Sequence, residues 1–421
     1  MVTYSYALLC AGVLNVFYYE EILLIKDLFI MKVSVLTITY NHEKYIAQAI
    51  ESVLMQEVNF DYELVIGEDC STDKTREIVI DYQRKYPHKI RLLLNEKNLG
   101  MHRNFAQTYH ACRGQYIAVL EGDDFWTSPH KLQKQVDFLD NNPDFAICFH
   151  NMQVIYEDDI KEPHHLFSTN QKEVITIEDC FKSIPINTVS CCLFRNKLFG
   201  EFPKWYFKLP GYDMALHILN AEHGKIMYLN EVMGVYRVHR GGVWSGKVVF
   251  DHERRSLICI AGIEFVKIID RHFKYKYRHD IRIALIQRYI SLIKELISED
   301  NYNKARFYMT KVKILDKYFK YKYRQTIRYR LTLRESLIPC YVSIINGLIS
   351  NGDHEKARFY IFQLLKLGFW RSVSNRYLFI FLIWLVSPKS YQTLKYINRI
   401  WKSFYKKLFF KPAYLEDKHI S

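Results

Sequence analysis

Tyr116-Ile117-Ala118-Val119-Leu120-Glu121-Gly122-Asp123-Asp124 is the stretch whose reading decides the fold. Five apolar residues stop abruptly at three carboxylates within four positions. A short continuous apolar run is the pattern of a strand covered on both faces. Carboxylates packed against its end repel one another unless a cation or hydrogen-bond donors neutralise them. Magnesium and manganese commonly bind through one or two carboxylates together with substrate phosphates, so the turn fits a nucleotide diphosphate site, although an acidic turn after a strand, taken alone, is more often a solvated loop.

Working back from this stretch, the same alternation repeats. Residues 33–38 and 62–66 read as buried strands, 90–94 as a third, and 116–120 as a fourth. Residues 45–55, 73–86 and 104–112 carry helical periodicity between them. Four strands alternating with three helices predict a parallel sheet covered by helices, with the ligand crevice outside the carboxyl ends of the strands. Three of those ends are polar: Thr39-Tyr40-Asn41, Glu68-Asp69-Cys70-Ser71-Thr72-Asp73, and Glu121-Gly122-Asp123-Asp124. Thr72 or Asp73 is placed to cap the following helix, while Asp69 can accept hydrogen bonds from a base or ribose.

A chain of 421 residues, 49% hydrophobic and 25% charged, can bury more than one core. Residues 251–421 hold 34 Lys and Arg against 14 Asp and Glu, a balance of +20; with the whole chain at +14, residues 1–250 stand at −6. Two modules follow: an α/β domain over 31–250 and a basic helical domain over 251–421, preceded by an N-terminal extension over 1–30. The apolar stretch 7–19 has no basic flank, so it does not read as a signal peptide, and Met31 is a candidate start. Nine cysteines without a CxxC pair point to a reducing compartment. Within the helical part, Leu296-Ile297-Ser298 and Lys304-Ala305-Arg306-Phe307-Tyr308 recur 52 residues later, a two-copy helix-hairpin repeat. The apolar run 377–386 is too short to span a bilayer. Residues 391–411, mixing Lys and Arg with aromatics, fit either an anionic membrane surface or a helix packed on the repeats.

In order and spacing, the three polar strand ends resemble the GT-A, Rossmann-like catalytic domain of family-2 glycosyltransferases, whose landmarks are T-Y-N, an acidic D-D-x-S-x-D turn and a D-x-D-D metal turn. The resemblance implies that Thr39, Tyr40, Asn41 and Asp69 contact the base and ribose of a nucleotide sugar. It implies too that Asp123 binds the ribose and that Glu121, Asp123 and Asp124 hold Mg²⁺ or Mn²⁺ against the diphosphate. Glu68 and Glu121 stand where the family more commonly has Asp.

Downstream, Gly211-Tyr212-Asp213-Met214-Ala215-Leu216-His217 and Tyr236-Arg237-Val238-His239-Arg240-Gly241-Gly242 resemble the acceptor half of bacterial members, with Tyr212 where Gly is common and Met214 where Trp is common. Asp213 falls on the family's catalytic base, although alone it would read as a carboxylate complementing a helix dipole. Arg237, His239 and Arg240 before two glycines form a cationic loop suited to a diphosphate leaving group. The resemblance implies an inverting transfer, in cell-surface polysaccharide synthesis, from a nucleoside-diphosphate sugar to a glycan or lipid-linked acceptor. The expected site of action is the cytoplasm, peripherally on the inner face of the membrane, with no nucleic acid partner. A metal-dependent nucleotidyltransferase is the enzymatic alternative, but no Gly-rich basic loop follows the first strand. An inactive domain in a membrane-docked assembly is the other, and the retained carboxylates Asp69, Asp123, Asp124 and Asp213 oppose it.

Overall fold

The computed structural model describes residues 31–157, nearly all of 161–242, 255–299 and scattered positions between 301 and 357. The expected N-terminal extension, most of the second repeat copy and the segments 377–386 and 391–411 lie outside the described residues.

The first compact unit comprises Met1–Glu295 with Tyr308–Leu315. It opens with β1 (Val33–Thr39), α1 (Ile46–Leu54), β2 (Tyr62–Glu68), α2 (Thr75–Lys85), β3 (Ile90–Leu94), α3 (Met101–Ala111) and β4 (Tyr116–Val119). Every residue of β1, β2 and β4 is buried, as continuous apolar strands between two helical layers require. On α1 the buried Ile46, Ala49, Ile50 and Val53 recur at the i, i+3, i+4, i+7 spacing that lays one stripe on the sheet.

Past the acidic turn come β5 (Phe125–Trp126), α4 (Lys131–Asn141), β6 (Phe145–Tyr156), β7 (His164–His165), β8 (Val174–Ile175), α5 (Ile177–Lys182), β9 (Cys192–Arg195), α6 (Asp213–Ala221) and β10 (Lys225–Val238). The strand order is β3-β2-β1-β4-β9-β6-β10-β5, with β7 on β6 and β8 on β10. Pairing is parallel from β3 through β4, as expected, but β9 inserts antiparallel between β4 and β6, which makes the whole sheet mixed. Cys191 and Cys192, at the start of β9, are fully buried core residues.

Helices α7 (Arg255–His272) and α8 (Arg278–Ser298) follow. They belong to the sheet's unit almost to the end of α8: Phe181 packs on Phe273 and Tyr277, and Lys182 pairs with Asp280 at 2.8 Å. The second unit takes in Leu296–Phe307 and Asp316–Ser421. Among the described residues no helix is long and apolar enough to cross a membrane.

Candidate active site

Because β1 and β4 are parallel neighbours, their carboxyl ends open side by side. Gly122 donates its N–H to the Ile38 carbonyl at 3.2 Å, and a Cβ there would sit 2.8 Å from both Thr39 Oγ1 and His42 Nδ1. Only glycine lets the acidic turn lie this close to the end of β1. The turn gathers Glu121, Asp123 and Asp124 so that their ligand oxygens lie within 4.8 Å of one another, the one such acidic group of three among the described residues.

Each carboxylate has its own surroundings. Glu121 Oε1 accepts from the Tyr212 hydroxyl at 2.9 Å, and the Glu121 N–H donates to Ser190 Oγ at 3.1 Å. Asp123 Oδ2 lies 3.0 Å from His239 Nε2 and 3.8 Å from His42 Nε2. Asp124 Oδ1 accepts the Arg237 N–H at 2.9 Å, while Asp124 Oδ2 is buried without a hydrogen-bond partner.

Burial, then the charges of Asp213, Asp123 and Asp124, push the Glu121 carboxyl well above the ordinary range. Burial and then Asp123 do the same to Asp124. Asp123 moves the other way: burial opposes its ionisation, but His42 and His239 outweigh it and hold the carboxyl below its usual value. Crowded, desolvated carboxylates with an orphaned oxygen on Asp124 are a donor set that fits a hard divalent cation such as Mg²⁺ or Mn²⁺.

Asp213 opens α6, directly after Tyr212, and burial raises its carboxyl to about 6. Tyr236 on β10 belongs to the same electrostatic group. Burial, then Asp124, Glu121, Asp123 and Asp213 in turn, raise its phenol well above its ordinary value.

The T-Y-N end of β1 is tied to the turn after β2. Asn41, at φ 56, accepts the Thr72 N–H on its Oδ1 at 2.8 Å and donates its own N–H to Ser71 Oγ at 3.0 Å. Asparagine tolerates that left-handed backbone. Thr39 Oγ1 lies 3.3 Å from His42 Nδ1, and Tyr40 is 40% exposed. Asp73 accepts the Thr75 N–H at 2.9 Å, but the N-cap position falls on Lys74 and no side chain caps it, so neither Thr72 nor Asp73 is the cap expected from the sequence.

Asp69 is only 2% exposed, and its carboxylate holds the segment before α3. Oδ1 accepts from Asn95 Nδ2 at 3.0 Å and Leu99 N at 2.8 Å, and Oδ2 from Gly100 N at 2.9 Å. Arg237 lies within β10 instead of in a free loop, and its side chain is clamped on the acidic turn. Nε donates to the Asp123 carbonyl at 2.9 Å, Nη2 to Gln48 Oε1 at 2.9 Å, and the guanidinium lies over the rings of Tyr45 and Phe125.

The structure thus brings Glu121, Asp123, Asp124, Arg237 and His239 together, with Thr39 and Asn41 alongside and Asp213 joined through Tyr212. Sequence reasoning did not assign roles to His42, Ser190, Tyr212 and Tyr236. His42 directly follows the T-Y-N motif and Tyr212 directly precedes Asp213, so those two had a local signal. Ser190 has none, because only the antiparallel entry of β9 brings it to Glu121.

Residues 34–202 match the family model described as glycosyl transferase family 2. This part of the chain is similar to family-2 glycosyltransferase domains. An uncharacterised protein of Mycobacterium tuberculosis (strain ATCC 25618 / H37Rv) is 36% identical over 211 residues, 50% of this chain and 60% of its own. The chain therefore spans under two thirds of that relative's length. The UDP-Glc:alpha-D-GlcNAc-diphosphoundecaprenol beta-1,3-glucosyltransferase WfgD of Escherichia coli is 29% identical over 51% of this chain and 80% of its own. Among solved structures, S. aureus TarS 1-349 in complex with UDP-GlcNAc aligns over 63% of this chain and 81% of its own, at 19% identity and a TM-score of 0.43.

Proposed function

We propose that the protein is an inverting, metal-dependent glycosyltransferase that moves a sugar from a nucleoside-diphosphate sugar to a hydroxyl of a glycan or lipid-linked acceptor in cell-surface polysaccharide synthesis. The observation that carries this reading is the acidic turn Glu121-Asp123-Asp124, linked through Tyr212 to a second, separate carboxylate, Asp213, whose carboxyl is raised to about 6. The metal turn and the base are thereby distinct groups held at a fixed relation. WfgD, by its name a transferase onto a diphosphate-linked lipid sugar, supports the acceptor class.

In this reading Asp213 takes the proton from the acceptor hydroxyl as it attacks the anomeric carbon. A carboxylate with a pKa near 6 is ionised at neutral pH yet basic enough for that transfer. Thr39, Tyr40, Asn41 and the segment secured by Asp69 receive the base and ribose. Arg237 and His239 hold Asp123 in place, and the Arg237 guanidinium places positive charge beside the diphosphate. Asp123, Asp124 and Glu121 would hold Mg²⁺ or Mn²⁺, and the ion would supply positive charge against the nucleoside diphosphate. The basic segment 391–411 would dock on an anionic leaflet at the inner face of the membrane.

A donor screen scoring nucleoside diphosphate release, with and without Mn²⁺ or Mg²⁺, tests the proposal. Metal-stimulated release from at least one nucleotide sugar is expected. Release from none, or release unchanged by EDTA, overturns it.

A further inference from the structure

On α8, Arg288 is a largely buried cation that forms no ion pair among the described residues. Its Nη2 lies 3.6 Å from Sδ of Met214, the residue after Asp213, and a thioether is a weak acceptor. Its Nε is buried and makes no hydrogen bond. The ionisable group that acts on it is the Cys259 thiol, not a carboxylate, and burial draws the guanidinium's pKa down. Asp213 does not compensate it: burial raises the Asp213 carboxyl, its own backbone hydrogen bond opposes the rise, and the Arg288 charge is not among the causes.

The surroundings make room for this cation. Gly262 sits inside the 18-residue α7, where a Cβ would approach Arg288 Nη1 to 3.0 Å. Glycine is unfavourable inside a helix, and here it admits the guanidinium. Near the start of α6 two more buried polar atoms lack partners: the Tyr206 hydroxyl and His102 Nε2, on rings 5.2 Å apart. Tyr206 feels the charge of Asp213.

Burying a charge without a partner is costly, and a guanidinium fork matches phosphate and carboxylate oxygens. We infer that Arg288 anchors an anionic group of the acceptor, a phosphate or a carboxylate, near the start of the helix that carries Asp213. The inference rests on reading Asp213 as the base. It narrows the acceptor to one that carries negative charge near the receiving sugar, either a phosphate-linked carrier or an acidic glycan. A neutral acceptor would leave the buried Nε without an acceptor.

The test is thermal denaturation of the full chain titrated with inorganic phosphate, pyrophosphate and glucuronate in EDTA, so that no metal recruits the anion to the acidic turn. At least one anion is expected to stabilise the wild type and Arg288→Lys, with apparent affinity about tenfold or more weaker in Arg288→Met. A response to phosphate or pyrophosphate designates the phosphate-linked source, and one to glucuronate the acidic sugar. Equal responses in wild type and Arg288→Met, no response in the wild type, or an Arg288→Met protein that does not fold each overturn the inference. Nucleoside diphosphate binding with Mg²⁺, measured on the same wild-type preparation, tests the transfer reading separately: its absence sinks that reading whatever the anions do.

Discussion

The hydroxyl of Tyr212 donates to Oε1 of Glu121 at 2.9 Å, a bond between residues 91 positions apart that fixes the acidic turn to the start of the helix carrying Asp213. The bond favours the ionised form of Glu121 against the burial and neighbouring charges that oppose it. Tyr212→Phe removes this donor and keeps the ring that packs 4.5 Å from Phe105. Losing a hydrogen bond to a charged group costs about 1.5–3 kcal/mol. Divalent cation affinity, measured by titration calorimetry, is therefore expected to weaken by about tenfold or more. An unchanged affinity in Tyr212→Phe would show that Glu121 takes no part in holding the ion.

That bond also marks where the sequence stops being legible. The strands and helices from Val33 to Val119 could be read from local pattern, because each buries a continuous run or a helical stripe against its immediate neighbours. The acidic turn was legible for the same reason, since it terminates such a run. The insertion of β9 between β4 and β6 had no local signature, and with it went the contact of Ser190 with Glu121. The clamping of Arg237 was hidden as well: the Y-R-V-H stretch ends in two glycines and reads as a loop, whereas pairing along β6 carries β10 through Val238. Long-range pairing, not composition, decides such positions.

Asp69 offers a second test, because its carboxylate accepts three hydrogen bonds from Asn95, Leu99 and Gly100. Asp69→Ala leaves these donors without their acceptor and is expected to cost about 2–3 kcal/mol in denaturant unfolding. Faster amide exchange at Leu99 and Gly100 should accompany the loss. If stability holds while nucleotide affinity disappears, Asp69 serves the ligand and not the loop.

For the acidic turn, Asp124→Asn removes one carboxylate from a crowded, buried set in which Asp124 Oδ2 has no partner. Metal-dependent nucleotide binding is expected to fall to the level seen in EDTA. In EDTA at neutral pH the variant should be no less stable than wild type, because the folded-state carboxyl is raised by burial and Asp123, and forcing it to ionise costs stability. A variant that binds nucleotide with full metal dependence would move the ion to Glu121 and Asp123 alone.

The most direct test of mechanism is Asp213→Asn, which keeps size and most hydrogen bonding but cannot take up a proton. Turnover is expected to drop by about 10² to 10⁴-fold with donor affinity barely changed. The pH dependence follows from the carboxyl at about 6 against an ordinary value of 3.8. Below that folded value the base is protonated, so wild-type kcat should decline on the acid side. A bound cation will draw the limb to a lower pH, and the limb should vanish in the variant. Stability carries the opposite sign. The folded protein retains a proton that the unfolded chain releases, so the contribution of Asp213 is full below about 3.8 and is lost as pH rises through about 6. Without divalent ions, Asp213→Asn should therefore gain on the order of 3 kcal/mol over wild type at pH 7 to 8, and little at pH 4. A variant that keeps near wild-type turnover but loses donor affinity would make Asp213 a binding residue and send the search for the base to His217, Glu222 or His239.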